Sequence, residues 1–511
     1  MFGRKKGENA PKTNPSETLT MHPNGMLLEV DEAPAKASKW IILAIQHVLA
    51  MFVACITVPM LVFNGVNVMF EGQSVNLASL MIAPTLLSAG IGTLFYLCVT
   101  KFKSPMFLAS SFAYMGAMSA AIKVDAVSAG QVNLWILPLG MTMVGAIYCL
   151  VALLIKLFGV KWLNKLLPTI VVGPVIIVIG LSLAGSAISN LTTGTLTGEY
   201  NWPAIISGLV AMVVTACCAH YGKGTISLIP FVLGMLSGYI AGVLFTAIGY
   251  YGCGNEYYHV INFSPLVNLF TKDGVANVTI TSFFDIPKFL PWVAQSESVV
   301  PMTWGAVGNA ALIFIPVSLV TICEHIGDHK NMSGLLGRDL LEKPGLTRTL
   351  IGDGVATAIS GCLCGAANTT YGENVAVVGV TKIASTKVIA LACGFSILLG
   401  FISPLMALTQ TIPACVTGGV SLILYGFIAS SGVKMLINEK VDMSNTKNMF
   451  VASVILVAGI GGLVFQFGAS GSGMQITSVS VAMILGIIMN AILREKKVKK
   501  VTEDASSNEN E

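Results

Sequence analysis

The sequence predicts an all-α polytopic membrane protein with fourteen transmembrane segments in two sets of seven, the second inverted relative to the first. Three observations lead there. Hydrophobic residues make up 54% of the 511-residue chain and charged ones only 11%, against ~25% charged in soluble domains, so there is too little polar material to cover soluble domains of this size. The apolar residues gather into stretches comparable with the ~20 residues a helix needs to cross hydrocarbon. Lysine and arginine collect on one side of the fourteen-crossing arrangement, as the positive-inside rule demands.

In chain order, residues 1–39 form a polar extension without the apolar region and cleavage site of a signal peptide. The first segment, roughly 41–63, is continuous and carries one buried polar candidate, His47. The second is placed at 77–99. The third, 104–121, opens with "SPMFLASSFAYMGAM" and is short and punctuated by Ser and Gly. Fuller segments follow at 132–155, 166–190, 203–219 and 226–250, then a long external loop at 251–304. The eighth, 305–323, closes at Glu324, and the ninth is placed at 349–364. The tenth, 374–381, is the shortest, and "AANTTYGEN" leads into it. Segments at 388–410, 413–430, 449–465 and 477–493 complete the set, and the tail 494–511 is polar and solvated.

With the N-terminus inside, an even number of crossings returns the C-terminus inside. Of the 29 Lys and Arg residues, only Lys123, Lys272 and Lys288 then lie outside. The net charge of +4 is thus a topology signal; the basic residues are dispersed among loops, which argues against nucleic-acid binding. The expected location is the cell inner (plasma) membrane, multi-pass, with both termini cytoplasmic and lipid around the helices. Of eleven cysteines, all but Cys253 lie in or beside apolar segments, so no external disulfide framework is expected.

An odd number of segments per set inverts the second copy, an arrangement of secondary transporters that bind substrate where helices are interrupted near the midplane. The third and tenth segments are the interrupted ones, and they occupy the same place in each set. Beside them stand two acids, Glu324 and Glu373. An ionised acid near the bilayer centre costs at least ~3 kcal/mol on insertion scales, and such residues face a bundle interior or a wet cavity. No Lys or Arg lies in the apolar stretches beside either one. Gly372 leaves the peptide groups around Tyr371 and Glu373 without side-chain cover, and free amides at a helix start can donate to a ligand. Carboxylates as acceptors and bare amides as donors suit a neutral planar molecule bearing alternating N–H and C=O groups. Two acids would repel an anion, and a simple cation would not need the amides.

The stretches "QHVLAMF" (46–52), "SSFAY" (110–114), "EHIGD" (324–328), "NTTYGEN" (368–374), Thr381–Lys382 and "GGVSLILYGFIASSG" (418–432) together resemble the nucleobase–ascorbate transporter family, and within it the bacterial uracil–proton symporters. The resemblance runs from about 41 to 493. It implies two inverted repeats, a homodimer, and a short extended strand in each of segments 3 and 10 with substrate between the strands. It also implies a core domain of 40–155 and 305–410 and a gate domain of 156–250 and 411–493. Carried over by position, Glu324 and Glu373 would accept from nucleobase N–H groups, and the amides of Phe112 and Gly372, beside Tyr371, would donate to its carbonyls. His47 would join the polar network beside Glu373, and Tyr425 would face the site from the gate. Purine carriers of the family tend to have Gln at position 373. A carboxylate only accepts, so Glu373 favours uracil, with a xanthine or purine permease as the alternative.

Two positions depart from the family pattern. Ala376 stands where Gly is usual, a change of packing rather than chemistry. Asp328 stands where the uracil symporters carry His. One helical turn separates it from Glu324, so it either replaces that histidine in proton coupling or caps a cytoplasmic helix end. The implied mechanism is proton symport by alternating access, with Glu324, Asp328, His47 and Glu373 as the proton-coupling candidates; sodium is the other coupling ion the family uses. "HIGDH" (325–329) superficially resembles an H-x-x-E-H zinc motif, which would make the chain a membrane metallopeptidase. Asp in place of Glu, the intervening Gly327 and the lack of an obvious third ligand weigh against it. No phosphate-loop or ATPase signature is present, and nothing calls for an enzyme, a cofactor or a resident metal.

Overall fold

A backbone in lipid must satisfy its own hydrogen bonds, which leaves helices as the default for apolar stretches of this length. The computed structural model describes residues 21–34, 36–63, 66–70, 73–123, 132–194, 198–272, 274–289, 302–467 and 474–493. Residues 1–20 of the N-terminal extension, part of the 251–304 loop and the 494–511 tail lie outside the described residues.

The first half comprises α1 (Ala37–Phe63), a hairpin of β1 (Asn67–Phe70) and β2 (Gln73–Asn76), α2 (Leu77–Val99), β3 (Leu108–Ser110), α3 (Met115–Ala121) and α4 (Ile136–Phe158). Then come α5 (Lys161–Leu166), α6 (Thr169–Ser182), α7 (Ala184–Thr192), α8 (Trp202–Tyr221), α9 (Thr225–Leu228) and α10 (Pro230–Phe245). The 251–304 loop holds α11 (Ser264–Phe270) and a two-residue-per-strand hairpin, β4 (Thr271–Lys272) and β5 (Val275–Ala276). The second half runs through α12 (Trp304–Leu336), α13 (Leu346–Cys362), β6 (Asn368–Thr370), α14 (Gly372–Thr381), α15 (Thr386–Leu399) and α16 (Ser403–Thr411). It ends with α17 (Ala414–Asn438), α18 (Thr446–Ile460), the β7 (Phe465–Phe467) and β8 (Met474–Ile476) hairpin, and α19 (Ser478–Ile492). The protein is mostly helical, and among the described residues eight helical stretches are long and apolar enough to cross a membrane. It is a multi-pass membrane protein.

Polar residues mark where several helices begin. Asn76, Asn201 and Thr303 cap α2, α8 and α12 by accepting from the amides of Ala78, Ala204 and Ala306. Gly337, in a left-handed conformation (φ 66°), ends α12. Two packing groups result. In one, α13 lies against α4 and α2, with α1, α12 and α15 alongside; in the other, α17 lies against α6, α7 and α8, with α10, α18 and α19 beside them.

Three elements differ from the sequence expectation. The stretch expected at 166–190 is two helices, α6 and α7. The one expected at 388–410 is also two, α15 and α16, and the 251–304 loop pairs with the break: Asp285 N–H donates to Phe401 O and Ser403 N–H to Phe283 O. The largest difference is α12, which runs to Leu336 rather than stopping near 323. The polar run from Glu324 to His329 looks like a loop by composition, but its side chains find partners or a cavity inside the protein, so the helix continues.

Residues 21–34 form a strap across one face of the first packing group. Leu27 and Leu28 N–H donate to Lys382 O, Ala384 N–H to Leu28 O, and Thr386 N–H to Val30 O. Its own Met26, Leu28 and Val30 are buried against the helices, each side chain contributing roughly 1.5–3 kcal/mol relative to exposure. Asn24 Nδ2 also donates to Leu336 O at the end of α12.

Candidate functional site

The site is built where two helices give way to strands. β3 and β6 pair antiparallel, Leu108 opposite Thr370 and Ser110 opposite Asn368, and every residue of both is buried. Non-helical backbone at this depth survives only if protein groups satisfy it, and hydroxyls on α2 and α13 do so. Thr93 Oγ1 accepts from Leu108 N–H and donates to Leu108 O. Thr357 Oγ1 donates to Asn368 O at 2.6 Å, Ser360 Oγ to Ala366 O, and Asn368 Nδ2 to Ser88 O. Ser111 N–H bonds Ala367 O and Tyr371 N–H bonds Phe107 O, extending the pairing beyond the strands.

Beside this crossing lies a cavity of about 740 Å³, within the range of small-ligand sites. Of the residues singled out from sequence, Phe112, Glu324, Asp328, Tyr371, Gly372 and Glu373 all line it. Glu324, Asp328 and Glu373 are half-buried. Glu324 and Asp328 sit one turn apart on α12. Gly372 starts α14, where its amide has no carbonyl one turn earlier to bond, and a Cβ added there would lie 3.6 Å from Asp328 Oδ1. Ala376 also faces the cavity, one turn after Gly372. From the opposite side come Phe231 on α10 and Leu424 and Phe427 on α17, the two phenyl rings meeting edge-on at 6.1 Å. At the mouth, Lys330 Nζ lies 3.3 Å from Glu439 Oε1, joining α12 to α17.

Asp328 does not cap a helix end. It lies well inside α12 and accepts from Thr370 Oγ1 at 2.8 Å, a residue of β6. His47 and Tyr425 are not among the cavity-lining residues. His47 is buried, and its carbonyl accepts from Asn374 Nδ2 at 3.4 Å, so the contact with the α14 start is through backbone. Tyr425 is buried with its hydroxyl 3.9 Å from Met115 Sδ; its neighbours Leu424 and Phe427 present themselves to the cavity instead.

The histidines of "HIGDH" occupy a different face of α12 from the acids. His325 Nδ1 is 2.6 Å from Asp353 Oδ2, both side chains fully buried. His329 Nδ1 lies 2.8 Å from His325 O, and its Nε2 2.6 Å from the Tyr96 hydroxyl. Among the described residues no group of three His, Cys, Asp or Glu is placed to hold a metal. Asp353 was missed from sequence, although an acid inside the ninth apolar stretch, in "IGDGVA", carried the same signal that picked out Glu324.

The protein is thus a mostly helical membrane protein with a cavity between two packing groups, at a crossing of short strands. Residues 38–467 match the family model Xan_ur_permease, described as "Permease family", and the chain belongs to that family of permeases, which are transporters and not enzymes. Relatives span almost its whole length. It is 38% identical to the uracil permease of Bacillus caldolyticus over 92% of this chain and 95% of that one. It is 36% identical to the uracil permease of Bacillus subtilis (92% and 96%) and 34% identical to that of Escherichia coli K12 (91% and 94%). Among solved structures, the transmembrane domain of a cyanobacterial bicarbonate transporter, BicA, superposes with a TM-score of 0.53 at 14% identity, covering 86% of this chain and 96% of that one. The structure of SLC26A9 gives 0.56 at 12% identity, covering 89% and 66%. These two share the fold alone.

Proposed function

We propose that the protein imports a nucleobase, uracil in the first instance, by proton symport with alternating access. The observation that carries this reading is the donor–acceptor arrangement at the strand crossing: Glu324 and Glu373 as acceptors, and the Gly372 amide at the start of α14 as a donor, on one cavity. Uracil has two ring N–H groups and two carbonyls and matches such an array, and the permeases that the chain resembles over their full length are named for uracil. A purine such as xanthine is the second reading within the same site.

The fold reading that goes with it is fourteen crossings in two inverted repeats, in a homodimer of the inner membrane with cytoplasmic termini. β3–α3 and β6–α14, each a three-residue strand leading into a short helix, support the repeat. The two packing groups correspond to a core and a gate, with the cavity between them. Its mouth carries Lys330, Lys434 and Glu439, and basic residues favour the cytoplasmic side, which supports reading the cavity as open inward. In the cycle, three carboxyls around one cavity cannot all be ionised cheaply. A proton from outside neutralises one, Glu324 or its neighbour Asp328, uracil N–H groups then engage the carboxyls, and the core moves against the gate. The proton gradient supplies the drive, ~2.3 kcal/mol per charge per 100 mV.

The test is uptake of radiolabelled uracil into cells lacking their own carrier, with and without a protonophore, for wild type and Glu373→Gln. Uptake abolished by protonophore and by the substitution is expected. Uptake of xanthine but not uracil would overturn the choice of base, and sodium-dependent uptake insensitive to protonophore would overturn the choice of ion.

A further inference from the structure

The chain before the first membrane segment contains "MLLEVDE" (26–32), whose apolar residues alternate, and the transport cycle above makes no use of it. In the structure Met26, Leu28 and Val30 are buried while Leu27 and Glu29 are only half-buried, the period-two pattern of a strand with one face covered. It pairs with the link between α14 and α15. Leu27 and Leu28 N–H donate to Lys382 O at 2.6 and 3.3 Å, Ala384 N–H to Leu28 O at 2.9 Å and Thr386 N–H to Val30 O at 2.9 Å, and Leu28 bridges Ile383 in parallel. Two hydroxyls add to the pairing: Thr386 Oγ1 donates to Val30 O and Ser385 Oγ to Glu32 O.

α14 depends on such an attachment. Its ten residues make a rod about 15 Å long, half of the ~30 Å of hydrocarbon, and only Asn374, Val375, Val377 and Val378 in it are buried. The last carbonyls of a helix have no partner within it. Here the residue that ends α14, Lys382, is left-handed (φ 59°), and its carbonyl receives both strap amides. The strap therefore caps the end of α14 opposite Gly372 and Glu373. Its other attachment is to α12. Asn24 Nδ2 donates to Leu336 O at 3.0 Å, the last residue of that helix, and Asn24 Oδ1 accepts from Met26 N–H, which fixes the amide within the strap. Three residues separate Asn24 from Leu27, ~10 Å of chain at most. A short tether thus joins the far ends of the two helices that bring Glu324, Asp328 and Glu373 to the cavity.

Over ten residues a helix moves as a rigid rod, so a displacement at Lys382 reappears at Glu373. Groups that contact a ligand must be held within ~0.5 Å of their working geometry. We infer that the strap is a positioning element for the site: by fastening the Lys382 end of α14 to the Leu336 end of α12, residues Asn24–Val30 set the spacing of Glu373 from Glu324 and Asp328 across the cavity. Leu28, buried at the centre of the pairing, is the anchor of this tether.

The binding probe rests on the nucleobase reading, so the experiment also carries a readout that needs no ligand. Full-length protein in detergent is compared as wild type, Leu28→Ile, Leu28→Asp and Asn24→Ala. Amide hydrogen exchange reads the tether, uracil Kd the site and the thermal midpoint the fold, while KM and Vmax are taken in vesicles. In Leu28→Asp the amides of α14 are expected to exchange about tenfold faster or more, with those of α13 unchanged. Kd and KM should rise about tenfold and Vmax change less than about threefold. Asn24→Ala, which cuts only the α12 attachment, should raise Kd about threefold without moving the midpoint, and Leu28→Ile should match wild type. Unchanged exchange in α14 overturns the tether. Faster exchange with wild-type Kd overturns its role in the site and leaves the strap a packing feature. If wild type binds neither uracil nor xanthine, the nucleobase reading fails and the exchange comparison alone decides the tether. Should Leu28→Asp not fold, wild-type exchange and Kd in Asn24→Ala overturn the inference.

Discussion

β3 and β6 are built alike and equipped differently. Each is three residues long, fully buried, paired to the other, and followed within a few residues by a short helix beginning at the cavity. Past β3 the chain presents Ser111 and Phe112; past β6 it presents Tyr371, Gly372 and Glu373. The carboxyls of the cavity all come from the second half: Glu324 and Asp328 on α12, Glu373 on α14 and, at the mouth, Glu439 after α17. A short strand leading into a short helix occurs twice, while the ionisable chemistry lies beside the second of the two. A repeat can supply amide donors twice because amides are independent of sequence, but each buried acid must be individually supported, and here the support surrounds one arm only.

That contrast can be broken experimentally. The largest effect should come from the acid arm. Glu324→Gln keeps size but replaces an acceptor-only carboxylate, and loss of a hydrogen bond to a charged group at ~1.5–3 kcal/mol should weaken uracil binding about 10- to 150-fold in a direct binding assay. A change below threefold would show that Glu324 does not face the substrate. An intermediate effect, on stability, should separate the packing of the arms. Gly354→Ala drives a Cβ to 2.3 Å from Tyr148 Cβ, whereas Gly116→Ala on α3 meets nothing within 4 Å. The first should cost ~1–3 kcal/mol of overpacking and lower the thermal midpoint; the second should leave it unchanged. The smallest effect belongs to the neutral arm: Ser111→Ala, whose hydroxyl is buried and lines the cavity without a partner among the described residues, should shift uracil affinity by no more than about threefold. A loss there as large as for Glu324→Gln would dissolve the asymmetry.

Much of this organisation was legible in the residues. Composition and periodic apolar stretches place the membrane helices, because the bilayer imposes length and polarity directly on sequence. The interrupted segments 3 and 10 were visible as Ser, Thr, Asn and Gly in otherwise apolar surroundings, and Glu324 and Glu373 as acids without basic neighbours. The failures share a cause. Composition sees a polar residue but not its partner, so the turn from Glu324 to His329 resembled a loop until Asp353, Tyr96 and Thr370 were found against it. Asp353 was open to the same reasoning, an acid within an apolar stretch, but its partner His325 lies 28 residues away in sequence. The direction of Tyr425 was equally inaccessible, since one residue of helix rotation separates it from Leu424, which does face the cavity.

The strap at residues 21–34 has a practical consequence. Its hydrogen bonds go to Lys382, Ala384 and Thr386, directly after α14, and to Leu336 at the end of α12. The chain before α1 is therefore fastened to the helices that carry Glu324 and Glu373, while α19, near the opposite terminus, packs against α6 and α18. Fluorophores placed at Gly25 and at Leu493 would sit on the two packing groups, which the proposed alternating-access cycle moves against one another. Their separation, followed by energy transfer as substrate is added, would report the relative displacement of those bodies without a label anywhere near the cavity.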